Sequence, residues 1–273
     1  MFSNRSKRLV PVLLSFISFI SFISLISCSV KEDRSGCPFV LTIDLREALK
    51  KAPSELLPFR ISLYGGDICT EVLTDSAFWQ CSLPRDSLSV RVAAVEDSGA
   101  LTEGGLKIAE GNDCPSIYWS IDKIESPGES VTIVPHLKKD FCRLSVSFIG
   151  SPPGTLPYDV RFLGNICGYD SSTRPSPGPF CFTCRETGPG TSGGHASCVV
   201  KLPRQKDGSL KMDILSGDTI LRSFAIGHYM ESCGYDWTSE DLEDLELEIN
   251  FAATTITLRT AAWTVVSYFE VMI

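Results

Sequence analysis

Cys142-Arg143-Leu144-Ser145-Val146-Ser147-Phe148-Ile149 alternates apolar and polar residues and stops at Gly150, with Pro152-Pro153 close behind. A period of two sends every second side chain to one face, so the run predicts a half-buried strand closed by turn residues. The pattern recurs on both sides. Upstream lie Phe39–Leu45, Phe59–Tyr64 (ending at Gly65-Gly66), Leu88–Val95 and Ser130–Val134. Downstream lie Tyr158–Leu163, Ser197–Leu202, Thr219–Ile226, Leu245–Phe251, Thr255–Arg259 and a run from Trp263 through Val271. Helical patterning is scarce. Glu47–Ala52 reads as one turn ending near Pro53, and Thr238–Asp244 as a short acidic helix with Thr238 as N-cap. Short strands separated by Gly and Pro turns predict an all-β chain of β-sandwiches.

Two domains of ordinary size fit the length, with the division at residues 39–137 and 138–273. Within the second, residues 171–194 are rich in Ser, Pro and Gly and read as a long loop. Cys181, Cys184, His195 and Cys198 fall in and beside it. Their residue types suit zinc, but the spacing matches no standard knuckle or ribbon, so disulfides stapling the loop are the stronger expectation and no metal is assigned.

The amino-terminal segment is of a different kind. Arg5, Lys7 and Arg8 precede an apolar stretch from Val10 to Ile26, which closes on Leu25-Ile26-Ser27-Cys28. That is the layout of a secretory signal peptide over residues 1–27, and its end resembles a bacterial lipobox. Cleavage before Cys28 and acylation of its thiol would leave residues 28–38 as a lipidated tether, and two or three acyl chains make release from a bilayer very slow. The alternative, a transmembrane anchor, is weakened by the Ser-rich Phe-Ile-Ser repeats. Ten cysteines follow Cys28, an even number that permits disulfides in an exported protein.

Charge and motifs narrow the function. The full chain carries −8, and loss of the three cations of the signal segment takes it to −11, which disfavours nucleic acid or an anionic lipid surface as partner. His136, His195 and His228 stand in no catalytic signature, and no phosphate-cradling glycine loop is present. Glu240, Asp241, Glu243 and Asp244 read as a solvated helix face. The sequence thus predicts no enzyme, no small-molecule substrate and no cofactor beyond the covalent lipid on Cys28.

Several segments resemble the fimbrial anchor lipoproteins of Bacteroidota, the fimbrillin-associated anchor family. Lys31-Glu32-Asp33 looks like the surface-export tag of lipoproteins from that phylum. Glu32-Asp33-Arg34-Ser35-Gly36-Cys37-Pro38, opening into the strand at Phe39, resembles the start of the family. Ile117-Tyr118-Trp119, Pro135-His136-Leu137 and Cys142–Val146 resemble its passage between domains, and Ile256–Ile273, with Trp263-Thr264-Val265-Val266, its end. The resemblance implies two tandem transthyretin-like β-sandwiches and no catalysis. It also implies a lipid-anchored place on the outer membrane at the base of a fimbrium. The partner would be the major shaft subunit, joined by strand addition that ends assembly. The segment for strand exchange would carry Trp263, Val265, Val266, Tyr268, Val271 and Ile273, although the same residues suit an ordinary last core strand. Two other readings stay open. One is a surface glycan-binding lipoprotein with a platform of Trp79, Trp119, Trp237 and Tyr235. The other is an accessory or tip adhesin of the fimbrium.

Overall fold

The computed structural model describes residues 37–125, 127–149, 158–184, 196–250 and 255–268. The signal peptide, Cys28, Lys31, Glu32, Asp33, His195, Val271, Ile273 and residues 185–194 of the expected loop lie outside the described residues.

In the first half, β1 (Phe39–Asp44) leads into helix α1 (Arg46–Lys51), then β2 (Phe59–Gly65), β3 (Ile68–Thr74), β4 (Phe78–Leu83) and β5 (Leu88–Val95). The short strands β6 (Leu101–Thr102) and β7 (Gly105–Lys107) precede β8 (Ile117–Ile124) and β9 (Ser130–Ile133). Next come β10 (Lys138–Lys139), β11 (Phe141–Ile149), β12 (Asp159–Asp170), β13 (Pro175–Cys184) and β14 (Ala196–Pro203). The chain continues through β15 (Lys211–Ser216), β16 (Thr219–Phe224), helix α2 (Ile226–Ser232), β17 (Leu245–Asn250), β18 (Thr255–Arg259) and β19 (Thr264–Tyr268).

The fold is all-β, as the alternation predicts, and consists of two tandem β-sandwiches. In the first, the sheet β4-β1-β9 faces the sheet β10-β8-β5-β2-β3. Their inward residues, among them Phe39, Leu41 and Ile43 against Ile61, Leu63, Val90 and Val92, form one core. In the second, β14-β11-β17-β18-β19 packs on β16-β15-β12-β7-β6, and β13 pairs along β12. Leu144, Val146 and Phe148, the alternating residues of β11, are fully buried in that core with Val160, Phe162 and Met212.

The two halves exchange strands. The hairpin β6–β7 comes from the first half of the chain, yet β7 pairs with β12 of the second sandwich, Leu106 opposite Tyr169. In return β10 pairs with β8, Lys138 opposite Trp119. The β7–β12 crossing is close enough to require glycine on both strands. A Cβ on Gly105 (φ +120°) would stand 2.1 Å from the Tyr169 carbonyl oxygen. One on Gly168 (φ +151°) would stand 2.2 Å from that of Leu106.

A buried polar node sits where the halves meet. Asp140 accepts hydrogen bonds from Trp119 Nε1 through one carboxylate oxygen and from Arg204 Nε through the other, the latter at 2.6 Å. The Tyr169 hydroxyl donates to the Asp140 carbonyl and accepts from the Arg204 amide at 2.8 Å. The Trp119 and Tyr169 rings meet edge-on, 5.2 Å between centroids.

Three local expectations are corrected. Residues 171–194 are not one long loop: after a turn at 171–174, Pro175–Cys184 returns along β12 as β13. β13 has no partner on its far side among the described residues, so its prolines break no ladder, and register shifts after Gly164 and Ile166 absorb them. Thr238–Asp244 is not helical. Asp236 Oδ1 takes the Thr238 amide and hydroxyl, and the Arg204 guanidinium captures the carbonyls of Ser239 and Glu240, which a helix would need for its own bonds. The strand expected over Thr219–Ile226 ends at Phe224, and Ile226 begins α2.

Asp140→Ala would leave the buried Arg204 guanidinium without its counter-ion, an imbalance of about 3–5 kcal/mol. Urea unfolding of the variant is expected to show that loss, whereas an effect below about 1 kcal/mol would mean the node is ornamental.

Candidate functional site

Strand addition needs an edge: backbone N–H and C=O groups that no neighbour satisfies. β19 is such an edge. It pairs with β18 alone among the described residues, from Thr255 opposite Tyr268 to Arg259 opposite Thr264. A tight connection delivers it: the Thr260 amide donates to the Trp263 carbonyl at 2.9 Å, and Thr260 Oγ1 accepts from the amides of Ala262 and Trp263.

The sequence-derived strand-exchange residues divide around this edge. Trp263 is half-buried and packs on the second core. Val265 is half-buried, whereas Val266 turns outward and is 52% exposed. Tyr268 is the last residue of β19. The strand therefore presents an apolar side chain to solvent and, among the described residues, ends its sheet. Inward of it, β18 buries Ile256 and Leu258, and Arg259 pairs with Glu248 of β17 at 3.1 Å.

The first sandwich offers a second pair of edges that the sequence reading passed over. β3 ends one sheet and β4 ends the other, and only residues 75–77 separate them in the chain. Leu73 on β3 is 59% exposed and Phe78 on β4 is 52% exposed, with the Arg46 guanidinium 4.9 Å from the Phe78 ring centroid. The signal for β4 was present: Trp79, Cys81 and Leu83 alternate and pack inward. The Gly65-Gly66 turn likewise announces a returning strand, which is β3.

Other expected sites do not assemble. Trp119, Trp237 and Tyr235 are buried in the second core, and Trp79 is half-buried against the first, so the four form no sugar-stacking platform. The acidic run is a clamp and not a solvated helix face. Asp241 pairs with Lys51 of α1 at 2.6 Å and accepts the Lys139 amide, and Asp244 takes the Arg143 amide and Lys139 Nζ. His136 and His228 are exposed. Among the described residues no group of three or more His, Cys, Asp or Glu is arranged to hold a metal ion.

No protein-family model and no curated protein matches the sequence. Solved structures do match. The fimbrial anchor protein Mfa2 from Porphyromonas gingivalis aligns with a TM-score of 0.56 at 13% identity, over 85% of this chain and 100% of that one. A candidate adhesin from Bacteroides ovatus gives 0.55 at 15% identity, over 88% and 98%. A candidate polysaccharide-binding protein from Bacteroides thetaiotaomicron gives 0.56 at 11%, over 86% and 98%. At such identities the likeness is one of fold. This chain shares its double sandwich with a fimbrial anchor protein and with adhesin-type proteins.

An edge strand open to a partner should be nearly free of stability cost when altered. Val266→Lys is expected to change the unfolding free energy by no more than about 0.5 kcal/mol. Ile256→Ala, one strand inward and fully buried, is expected to cost roughly 2–5 kcal/mol. Parallel urea titrations compare the two, and equal losses would make β19 a structural strand.

Proposed function

We propose that this chain is a cell-surface anchor for a fimbrial shaft. A lipid on Cys28 holds it to the outer membrane, and Lys31, Glu32 and Asp33 mark it for the outer face. An exposed sheet edge accepts or donates a strand to the first shaft subunit and ends assembly there. The role is non-catalytic and uses no cofactor apart from the lipid. The observation that carries the reading is the open, apolar edge strand β19 on a fold shared with a fimbrial anchor protein. Such an edge is a liability in a free protein and natural at a subunit joint. Recognition through backbone pairing also tolerates sequence drift, since the ladder bonds are common to all residues.

A glycan-binding role keeps the support of the Bacteroides thetaiotaomicron likeness, but the aromatic residues that would stack on sugar rings are buried. An accessory or tip adhesin would share the fold and would not need permanent acylation.

The test is Cys28→Ala in a host that assembles fimbriae. The expected result is assembled shafts released into the medium and longer than normal. Full retention by unacylated protein would refute the anchor role. Val266→Lys in the acylated protein separates edge from lipid, because anchoring through β19 predicts shed shafts although the lipid is intact.

Export has a consequence for the thiols. All ten cysteines from Cys37 to Cys233 are free in the structure, but Cys184 on β13 and Cys198 on β14 are buried and their thiols are in contact. That contact and burial hold the Cys198 thiol well above its ordinary pKa. In an oxidising compartment this pair is the one placed to close as a disulfide between β13 and β14. Peptide mapping of protein from the native host is expected to find Cys184 joined to Cys198, and two alkylatable thiols there would count against exposure to an oxidising compartment.

A further inference from the structure

Among the described residues, buried charge is matched by opposite charge with one exception. Among the described residues, four charged side chains are buried: Asp44, Arg91, Asp140 and Asp213. Asp44 pairs with Arg46 at 2.6 Å, Asp140 with Arg204 at 2.6 Å and Asp213 with Arg161 at 2.8 Å. Arg91 is 1% exposed, and among the described residues no carboxylate lies within ion-pair distance of it; Glu71 and Glu103 act on it only from farther off. Its Nη2 donates to the Tyr64 hydroxyl at 2.6 Å and to the Thr102 carbonyl at 2.8 Å. Its Nε and Nη1, which carry three of the five guanidinium N–H bonds, meet no partner.

The strand register explains how this came about. Arg91 is opposite Ser62 on β2 and Ile121 on β8, and Ser89 is opposite Tyr64 and Lys123. Residues 90 and 92 point into the first core, so 89 and 91 point to the outer face of the sheet, where an arginine would ordinarily be solvated. The hairpin β6–β7, drawn across by its pairing with β12, roofs that face and desolvates the guanidinium. Burial accordingly holds the Arg91 pKa below its ordinary value. A cation so desolvated, with carboxylates acting on it only from a distance, is stabilised by an anion brought close to it.

Beside it lies a cleft of about 630 Å³ with Arg91 in its lining. Lys123, exposed and without an ion pair among the described residues, lines it too, together with Tyr64, Ser171, Ser172 and Glu103. We propose that this cleft binds an acidic sugar residue, its carboxylate taken by Arg91 and Lys123. Glu103 and the serine hydroxyls supply acceptors and donors for ring hydroxyls, a mixture that a bare anion would not require. The volume suits one or two sugar rings. Recognition here runs through charge and hydroxyl contacts, and so needs no aromatic platform. The cleft is made by the first sandwich, the β6–β7 roof and the Ser171–Ser172 turn, none of its lining residues is in β19, and its occupancy does not depend on the anchor role.

The experiment is calorimetric titration of the intact protein with glucuronate, glucose and inorganic sulfate at low and raised salt. Glucuronate is expected to bind saturably, more weakly at high salt, and glucose not at all. Lys123→Ala, an exposed and foldable substitution, is expected to weaken glucuronate roughly tenfold, and Arg91→Met to abolish it provided its circular dichroism is native. If Arg91→Met does not fold, Lys123→Ala decides alone: unchanged glucuronate affinity overturns the proposal. Absence of saturable glucuronate binding by the unaltered protein also overturns it. Sulfate binding as tightly as glucuronate, with the same dependence on Lys123, would reduce the site to a simple oxyanion cradle and overturn the assignment to sugars.

Discussion

The carboxylate of Asp140 is the constraint on which the rest of the architecture depends. It lies in the short connection between β10 and β11, where the chain passes from one sandwich to the next, and it is buried. A carboxylate can be held there only if its oxygens are satisfied, and each takes one donor: Trp119 from the first sandwich and Arg204 from the second. Arg204 then spends its remaining N–H groups on the carbonyls of Trp237, Ser239 and Glu240, which fixes the segment before β17. Tyr169 ties the same node to β12, and β12 carries the pairing with β7. One charge thus couples both sandwiches, the roofing hairpin and the path of residues 236–244. Networks of this kind hold a unique arrangement because a partly satisfied version would be worse than none.

The sandwiches were legible in the sequence wherever one face of a strand is buried and the other wet. Leu144, Val146 and Phe148 repeat at every second position because they fill a core, and no tertiary knowledge was needed to see it. What escaped was decided by distant residues. The helix expected over Thr238–Asp244 has the local composition for one, but a guanidinium from residue 204 claims its carbonyls. β13 is rich in Pro and Gly and reads as loop; only its place on the outside of β12 makes a strand of it. β6 and β7 are too short for any period to show. Arg91 was read as one polar residue of an alternating strand, and nothing local announces that a hairpin will cover it. Of the edge residues, Trp263, Val265 and Val266 stand out by position and apolarity, whereas Leu73 and Phe78 flank the mostly polar residues 74–77 and carry no such signal.

The exposed edges and the buried nodes divide labour. The edge strands expose apolar side chains such as Leu73, Phe78 and Val266, which fill no core. The connections between halves tolerate almost no change, since glycines stand on both sides of the β7–β12 crossing and a buried ion pair stands beside it. Sequence identity near 13% with a protein of the same fold is what such a division leads one to expect: the pattern is retained and the residues are not.

The strand exchange between halves also has a mechanical meaning. Two sandwiches joined only by a linker would swivel about it. Here the covalent passage through residues 138–140 is doubled by the β7–β12 ladder and by the Lys51–Asp241 contact. Attachments at separate points remove rotational freedom that any one of them would leave. A torque applied to one sandwich would therefore be opposed at three places, and the expected behaviour is that of a stiff bracket rather than a hinge.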